Sequence, residues 1–196
     1  MSEPEVFILA DRTLDNVIQQ IGDDQWQMKL PDWFQRGRSK ADITLREIVN
    51  YHAYDDAWVP DMLAGTTMDE AGKDKFDGDL LGDKPKDNFA AIVETAVAAA
   101  KAVTDLQKTV HCSFGDFTIQ AYFWQINLFR GMRARDIAKL IGADDRLPTD
   151  LVQGIWDEVA PHAEEWRKIG VFGPKIDVPS DASLQDKLLG LTGRQP

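Results

Sequence analysis

Along most of this 196-residue chain, apolar side chains recur at intervals of three and four rather than two. That spacing lines one face of an α-helix, so the pattern predicts five long helices and no set of period-two strands. The first covers residues 4–21. Ser2 stands at its cap and Pro4 in its first turn; Val6, Leu9, Leu14, Val17, Ile18 and Ile21 form its stripe, and Gly22 ends it. The second opens at Thr44-Leu45-Arg46-Glu47, where the Thr hydroxyl and the Glu carboxylate satisfy free backbone N–H groups reciprocally. It runs to about residue 63, ahead of Ala64-Gly65, and Pro60 inside it is expected to kink it or tighten its last turn.

The third helix, residues 87–106, is rich in alanine at Ala96, Ala98, Ala99, Ala100 and Ala102, which favours close approach to a neighbour. A short strand-like or turn segment, residues 109–115, leads to a fourth helix over 116–141 that Gly142 stops. The fifth, residues 149–169, has Thr149 as its cap and Pro161 inside; a short helix over 183–191 follows an irregular stretch. Residues 23–39 carry Trp26, Trp33 and Phe34 around Pro31 and read as a loop pinned by aromatics. Residues 66–85 form a long polar connection with four turn-forming Gly or Pro. Together these segments make one all-α domain over residues 1–196, built on a helical bundle with long connecting loops and a short C-terminal helix; that the bundle has four helices is what the resemblance described below implies.

Charge and composition narrow the function classes. The chain has 22 Lys and Arg against 33 Asp and Glu, a net charge of −11, which argues against binding nucleic acid or anionic lipid. A single cysteine, Cys112, excludes an intramolecular disulfide and Cys-rich zinc sites. The acidic start of the chain lacks a secretory pattern, and no apolar run approaches the length of a membrane span. The expectation is a cytoplasmic protein. Asp77, Asp79 and Asp83 are spaced somewhat like a calcium loop, but the closing bidentate Glu is missing, so a solvated loop is expected.

Several blocks carry a resemblance that composition does not show. They are Thr44 to Asn50 (TLREIVN), Trp58, Leu63-Ala64-Gly65, Phe76 to Asp83 (FDGDLLGD), Trp124-Gln125, Asp136-Ile137-Ala138, Val171-Phe172-Gly173-Pro174 and Leu188 to Arg194 (LLGLTGR). In order and separation the chain resembles the DinB/YfiT-like superfamily, in the branch related to mycothiol-dependent maleylpyruvate isomerase. The resemblance implies a divalent-metal site inside the bundle, with one His from the second helix and an acidic residue four before a His from the fourth. Members with that triad are thiol-dependent isomerases and S-transferases. Counted from the blocks of this chain, the three ligand positions fall on Tyr51, Phe129 and Arg133. A phenyl ring donates no lone pair and a guanidinium stays protonated, so no metal and no cofactor are expected. His52 is one position from the first of them, about 100° around the helix, and is expected to face elsewhere. A register slip of one residue would restore it without restoring its partners.

With that fold, Tyr51, Asp55 and Trp58 form one stripe, and Tyr122, Gln125, Phe129 and Arg133 the facing one. One outcome is a filled core, with Arg133 paired to Asp55 or Asp136. The other is a metal-free cavity for a small organic molecule, walled by Trp58 and Trp124. In that cavity Arg133 places positive charge where the family places a cation. The function expected is small-molecule binding by a metal-lacking member of the family. The rivals are a metal-independent isomerase, cyclase or hydrolase using Tyr51, Asp55 and Arg133, and a metal- and thiol-dependent transferase with rearranged ligands. His52 and Asp56 are expected to make a surface or capping contact, and His111, Cys112 and His162 to carry no dyad. A homodimer is expected by analogy with the family.

Overall fold

The computed structural model describes residues 1–35, 43–113 and 115–196. It is predominantly helical, with one two-stranded antiparallel hairpin. In chain order the elements are α1 (Glu3–Ile18), α2 (Asp32–Gln35), α3 (Leu45–Ala64), α4 (Met68–Ala71) and α5 (Pro85–Lys101). The hairpin follows as β1 (Thr109–Cys112) and β2 (Gly115–Thr118), then α6 (Ile119–Ile141), α7 (Thr149–Val159), α8 (Ala163–Lys168) and α9 (Leu184–Leu191).

Each predicted helix is present, and local chemistry explains where its ends differ. At α1 the Ser2 N–H donates to Glu5 Oε2 at 2.8 Å. The helix stops at Ile18, because Gln20 and Ile21 donate three residues back, to Val17 and Ile18, in a tighter final turn. Thr44 caps α3 as expected, its backbone N–H donating to Glu47 Oε2 at 2.7 Å. The helix runs through Pro60 without interruption and closes at Gly65, which takes the left-handed conformation (φ 79°) that a side chain would resist. The third predicted helix begins two residues early, at Pro85, and ends at Lys101 rather than 106. Past that point Asp105 accepts the Gln107 N–H at 2.9 Å, a local turn that competes with further helix.

The fourth predicted helix starts three residues late. Residues 116–118 pair with the preceding strand instead, in the register Val110–Phe117 and His111–Asp116, and Thr118 caps α6 by accepting the Ala121 N–H at 3.1 Å. The fifth is divided. Pro161 lacks an N–H, so a 3₁₀ turn over Ala160–His162 separates α7 from α8. The stretch 23–39 holds Trp26 and Phe34 in the core and adds the short α2; Trp33 stays exposed, and residues 36–39 lie outside the described residues. The strand-like segment is β1 and the turn after it, whose residue 114 is also outside them.

Four long helices organise the rest. The extensive packings are α1 on α6, α3 on α5 and α1 on α5, with α7 laid across α6 and α1. Gly154 permits that crossing, since a Cβ there would sit 2.7 Å from Val6 Cγ2. α3 and α6 do not share such a packing. Their facing sides are held apart and are joined by long side chains.

Much of the resembling sequence serves to tie loops to this frame. Arg46 on α3 donates to Asp79 Oδ2 (2.8 Å) and to the Gly82 carbonyl (2.7 Å). Asn50 donates to the Gly78 carbonyl and accepts from Leu80 N, so the long polar connection is clamped along the first turns of α3. Arg167 likewise donates to the carbonyls of Gly173 and Leu191, fastening the C-terminal segment. Between α6 and α7 a polar contact is fully enclosed. Asn127 Nδ2 donates to Glu158 Oε1 at 2.9 Å and to the Glu3 carbonyl at 3.1 Å. Burial pushes the Glu158 carboxyl up to about 8.

Candidate functional site

The gap between α3 and α6 contains a cavity of about 310 Å³, partly open to solvent and closed at one end by α4 and the hairpin. Tyr51, Asp55 and Trp58 line it from α3; Tyr122, Gln125, Phe129 and Arg133 line it from α6. All seven residues assigned from the sequence therefore meet around one space. They are not equivalent. Trp58 and Tyr122 are buried walls, whereas Tyr51 (44 % exposed) and Phe129 (48 % exposed) form the outer rim. Trp58 is set edge-on to Phe76 at 5.0 Å, and Gln125 Nε2 donates to the Ala121 carbonyl, which orients its side-chain oxygen.

His52 overturns an expectation. It does not turn away but is buried and lines the cavity, and Arg133 Nε donates to its Nε2 at 3.1 Å. An imidazole that accepts at Nε2 is the neutral tautomer with its proton on Nδ1. The Arg133 guanidinium also lies over the Phe34 ring, its carbon 4.5 Å from the centroid. The arginine is thus held by both a ring and an acceptor. Asp136, the second partner considered for it, is shared by Arg135 (3.5 Å) and Arg194 (3.9 Å).

One turn along, the same two helices build a second contact that the sequence reading missed. Asp56, expected near the surface beside His52, is completely buried. Arg130 donates to its Oδ1 from both Nε (2.7 Å) and Nη2. Asp11 of α1 is also buried, with Oδ1 3.3 Å from Arg130 Nε, and the guanidinium lies over Phe7 at 5.0 Å. Burial and the charge of Asp56 push the Asp11 carboxyl well above the carboxylate range. Asp56 is raised by burial too, but Arg130 opposes the shift. In this triad Arg130 serves Asp56 first, and Asp11 is the acid pushed further toward its protonated form. The signal was present in the sequence. Asp11 and Asp56 each stand among apolar positions of a buried face, and Arg130 is one of several polar residues on the buried face of α6.

The remaining candidates fall elsewhere or are quiet. Trp124 does not wall the cavity but stacks on His162 at 5.0 Å. His111 Nδ1 is 2.8 Å from Asp116 Oδ1 across the hairpin. Cys112 does reach the cavity, yet burial and the nearby Asp116 push its thiol up to about 11, so it stays protonated and a poor nucleophile. Burial likewise drives the Tyr122 phenol far up, leaving it a neutral hydrogen-bonding group.

The donor set does not fit a metal ion. Tyr51 is at the rim, Phe129 offers hydrocarbon, Arg133 is a cation, and the one imidazole on this face uses Nε2 to accept from that cation. Among the described residues no three His, Cys, Asp or Glu side chains group as a ligand set. In the acidic loop, Asp79 is occupied by Arg46 and by the Leu81 N–H, which hold its carboxyl below the usual range. Among the described residues no helix is long and apolar enough to cross a membrane. Comparisons with models of protein families, with curated proteins and with solved structures return no match to this chain.

Proposed function

We propose that this protein is a metal-lacking relative of the DinB-like four-helix bundles and that it binds a small organic molecule in the cavity between α3 and α6. The observation that carries this is Arg133, a cation held rigid by Phe34 and His52 at the edge of a 310 Å³ space with aromatic walls. A cavity of that size suits a compact ligand, with the apolar walls supplying affinity and a few polar groups fixing orientation. Because Arg133 is already positioned, little of its side-chain entropy remains to be lost on binding. Its guanidinium is a planar fork of N–H donors, a geometry suited to a carboxylate. Tyr122 and the Gln125 side-chain oxygen add neutral hydrogen-bonding capacity deeper in. The ligand class these groups favour is an aromatic or conjugated carboxylic acid.

Binding rather than catalysis is favoured because Tyr51, the candidate proton donor, lies on the solvent-exposed rim and Cys112 remains a thiol. Isothermal titration with phenylacetate and its uncharged partner phenylethanol tests the proposal. The acid is expected to bind and to lose about tenfold in affinity in Arg133→Met, while the alcohol changes by less than about twofold. Absence of binding by both, or equal losses for both, would overturn it.

A further inference from the structure

Tyr122 is only 6 % exposed, yet its hydroxyl makes no hydrogen bond to any described residue. It lines the larger cavity and lies within electrostatic reach of Arg130, Cys112 and Asp55, three other groups of the same lining. The phenol oxygen therefore belongs to the space between α3 and α6. A buried hydroxyl without a partner has given up its bonds to water, a cost that a bonding group in the cavity would offset. One turn along α6, Gln125 lines the same space. Its Nε2 is fixed on the Ala121 carbonyl at 3.2 Å, which leaves its side-chain oxygen, an acceptor, to the cavity. A smaller cavity of about 170 Å³ beyond Phe129 and Arg133 makes no such demand: there Thr192 donates to the Leu188 carbonyl, and Asp136 lies beside Arg135 and Arg194.

Resting on the binding function proposed above, we propose that the ligand is a ring-hydroxylated aromatic, whose hydroxyl accepts from the Tyr122 hydroxyl and donates to the Gln125 side-chain oxygen. A neutral hydroxyl satisfies both groups at once, offering a lone pair to one and a proton to the other. A carbonyl would answer Tyr122 alone, and a carboxylate would set lone pair against lone pair at Gln125. The position on the ring follows from the shape of the cavity. Tyr122 stands in the first turn of α6, beside the hairpin that closes one end, whereas Tyr51 and Phe129 form the exposed rim. Phe129 is seven residues beyond Tyr122, about 10 Å along the helix axis. A ring with its hydroxyl at the inner end therefore directs its para substituent to the rim. None of these steps uses the charge of Arg133.

Isothermal titration of two pairs that differ only in the ring hydroxyl tests the assignment: 4-hydroxyphenylacetate beside phenylacetate, and 4-hydroxyphenylethanol beside phenylethanol. In each pair the hydroxyl is expected to raise affinity about fivefold. A hydroxyl that met no partner would lower it, having lost its bonds to water. In Tyr122→Phe the ratio within each pair should fall to about one or below. Gln125→Met removes the acceptor at a partly exposed position and should lower the ratio as well. The ratio cancels any change that affects both members of a pair alike. The unfolding midpoint of Tyr122→Phe should not fall, since the lost oxygen bonds nothing described in the fold; a lowered midpoint would make the hydroxyl structural and overturn the assignment. A wild-type ratio at or below one in either pair, or a ratio that either variant leaves intact, also overturns it while leaving the simpler binding function standing. A hydroxyl gain in both pairs with no preference for acid over alcohol upholds the assignment and overturns the acid reading instead. Failure of all four compounds to bind the folded protein overturns both.

Discussion

Two arginines one turn apart on α6 reach across to α3, and they end in opposite environments. Arg130 is sealed, flanked by Asp56 and Asp11 and covered by Phe7. Arg133 borders two cavities, held by the neutral His52 and the ring of Phe34. The first contact neutralises its charge internally and leaves nothing for a ligand to do. The second orients a cation beside space. The comparison teaches that the contact between α3 and α6 changes character along its length. Both arginines border the larger cavity, but Arg130 is spent on the buried contact with Asp56 and Asp11, whereas Arg133 stands between that cavity and a second one.

The largest effect should come from unbalancing the sealed side. Asp56→Asn leaves the Arg130 guanidinium buried without its carboxylate, so a loss of about 3–5 kcal/mol is expected in denaturant unfolding. A loss below about 1 kcal/mol would mean that water reaches Arg130 and that the two arginines do not differ as described.

A buried acid whose hydrogen bond comes from an amide sharpens the comparison further. Glu158 contacts Asn127 rather than an arginine, and burial lifts its carboxyl to about 8. Between its ordinary value near 4.5 and about 8, the folded protein holds a proton that the unfolded chain has released. Stability contributed by that group is therefore present at low pH and lost as pH rises through this window. Glu158→Gln should abolish the decline, gaining on the order of 2 kcal/mol at pH 9 and little at pH 5. A Glu158→Gln effect independent of pH would show the carboxylate to be ionised in the fold.

On the open side the cost to stability should be smaller. Arg133→Met keeps most of the aliphatic packing against Phe34 at the edge of the cavity. A stability change within about 1 kcal/mol is expected, alongside the loss of acid binding described above. A loss as large as that of Asp56→Asn would make Arg133 a structural clamp and erase the contrast.

How much of this contrast was legible beforehand depends on the kind of signal. The helices were, because capping at Thr44 and stops at Gly65 and Gly142 are local chemistry, and the structure differs only where Asp105, the hairpin and Pro161 intervene. The cavity residues were also legible as facing stripes. The ranking within them was not. Counting from sequence blocks put Tyr51 in the family's ligand position, but the helix turns His52 toward Arg133 and leaves Tyr51 at the rim. The apolar stripe itself contained the correction, since Leu45, Ile48, Val49, Ala53 and Val59 share a buried face whose intervening positions are His52 and Asp56. The triad required more. Asp11 lies 45 residues from Asp56 and 119 from Arg130 in the chain, and only the three-dimensional crossing of α1, α3 and α6 shows that three polar residues meet.

The smallest expected effect is the most discriminating for the sealed side. Asp11 and Asp56 have the same side chain and both are buried, yet Arg130 opposes the rise more directly at Asp56, so the expectation to test is a protonated Asp11 beside an ionised Asp56. Asparagine reproduces the shape of a protonated carboxyl and its lack of charge, with an N–H₂ in place of the acid O–H. Asp11→Asn therefore preserves the triad's charge balance, and a change within about 1 kcal/mol is expected at neutral pH. Asp56→Asn removes the single anion and should cost several times more. Infrared difference spectra of the two variants give a second measure, because a protonated carboxyl band at neutral pH, beyond that of Glu158, is expected to be lost in Asp11→Asn and kept in Asp56→Asn. Equal losses in both variants would mean that Arg130 is balanced by a charge spread over the two acids. A larger loss in Asp11→Asn would move the anion to α1. In that case the short contacts of Arg130 to Asp56 would report proximity rather than charge, and the clamp opposing the cavity would belong to α1 and α6 alone.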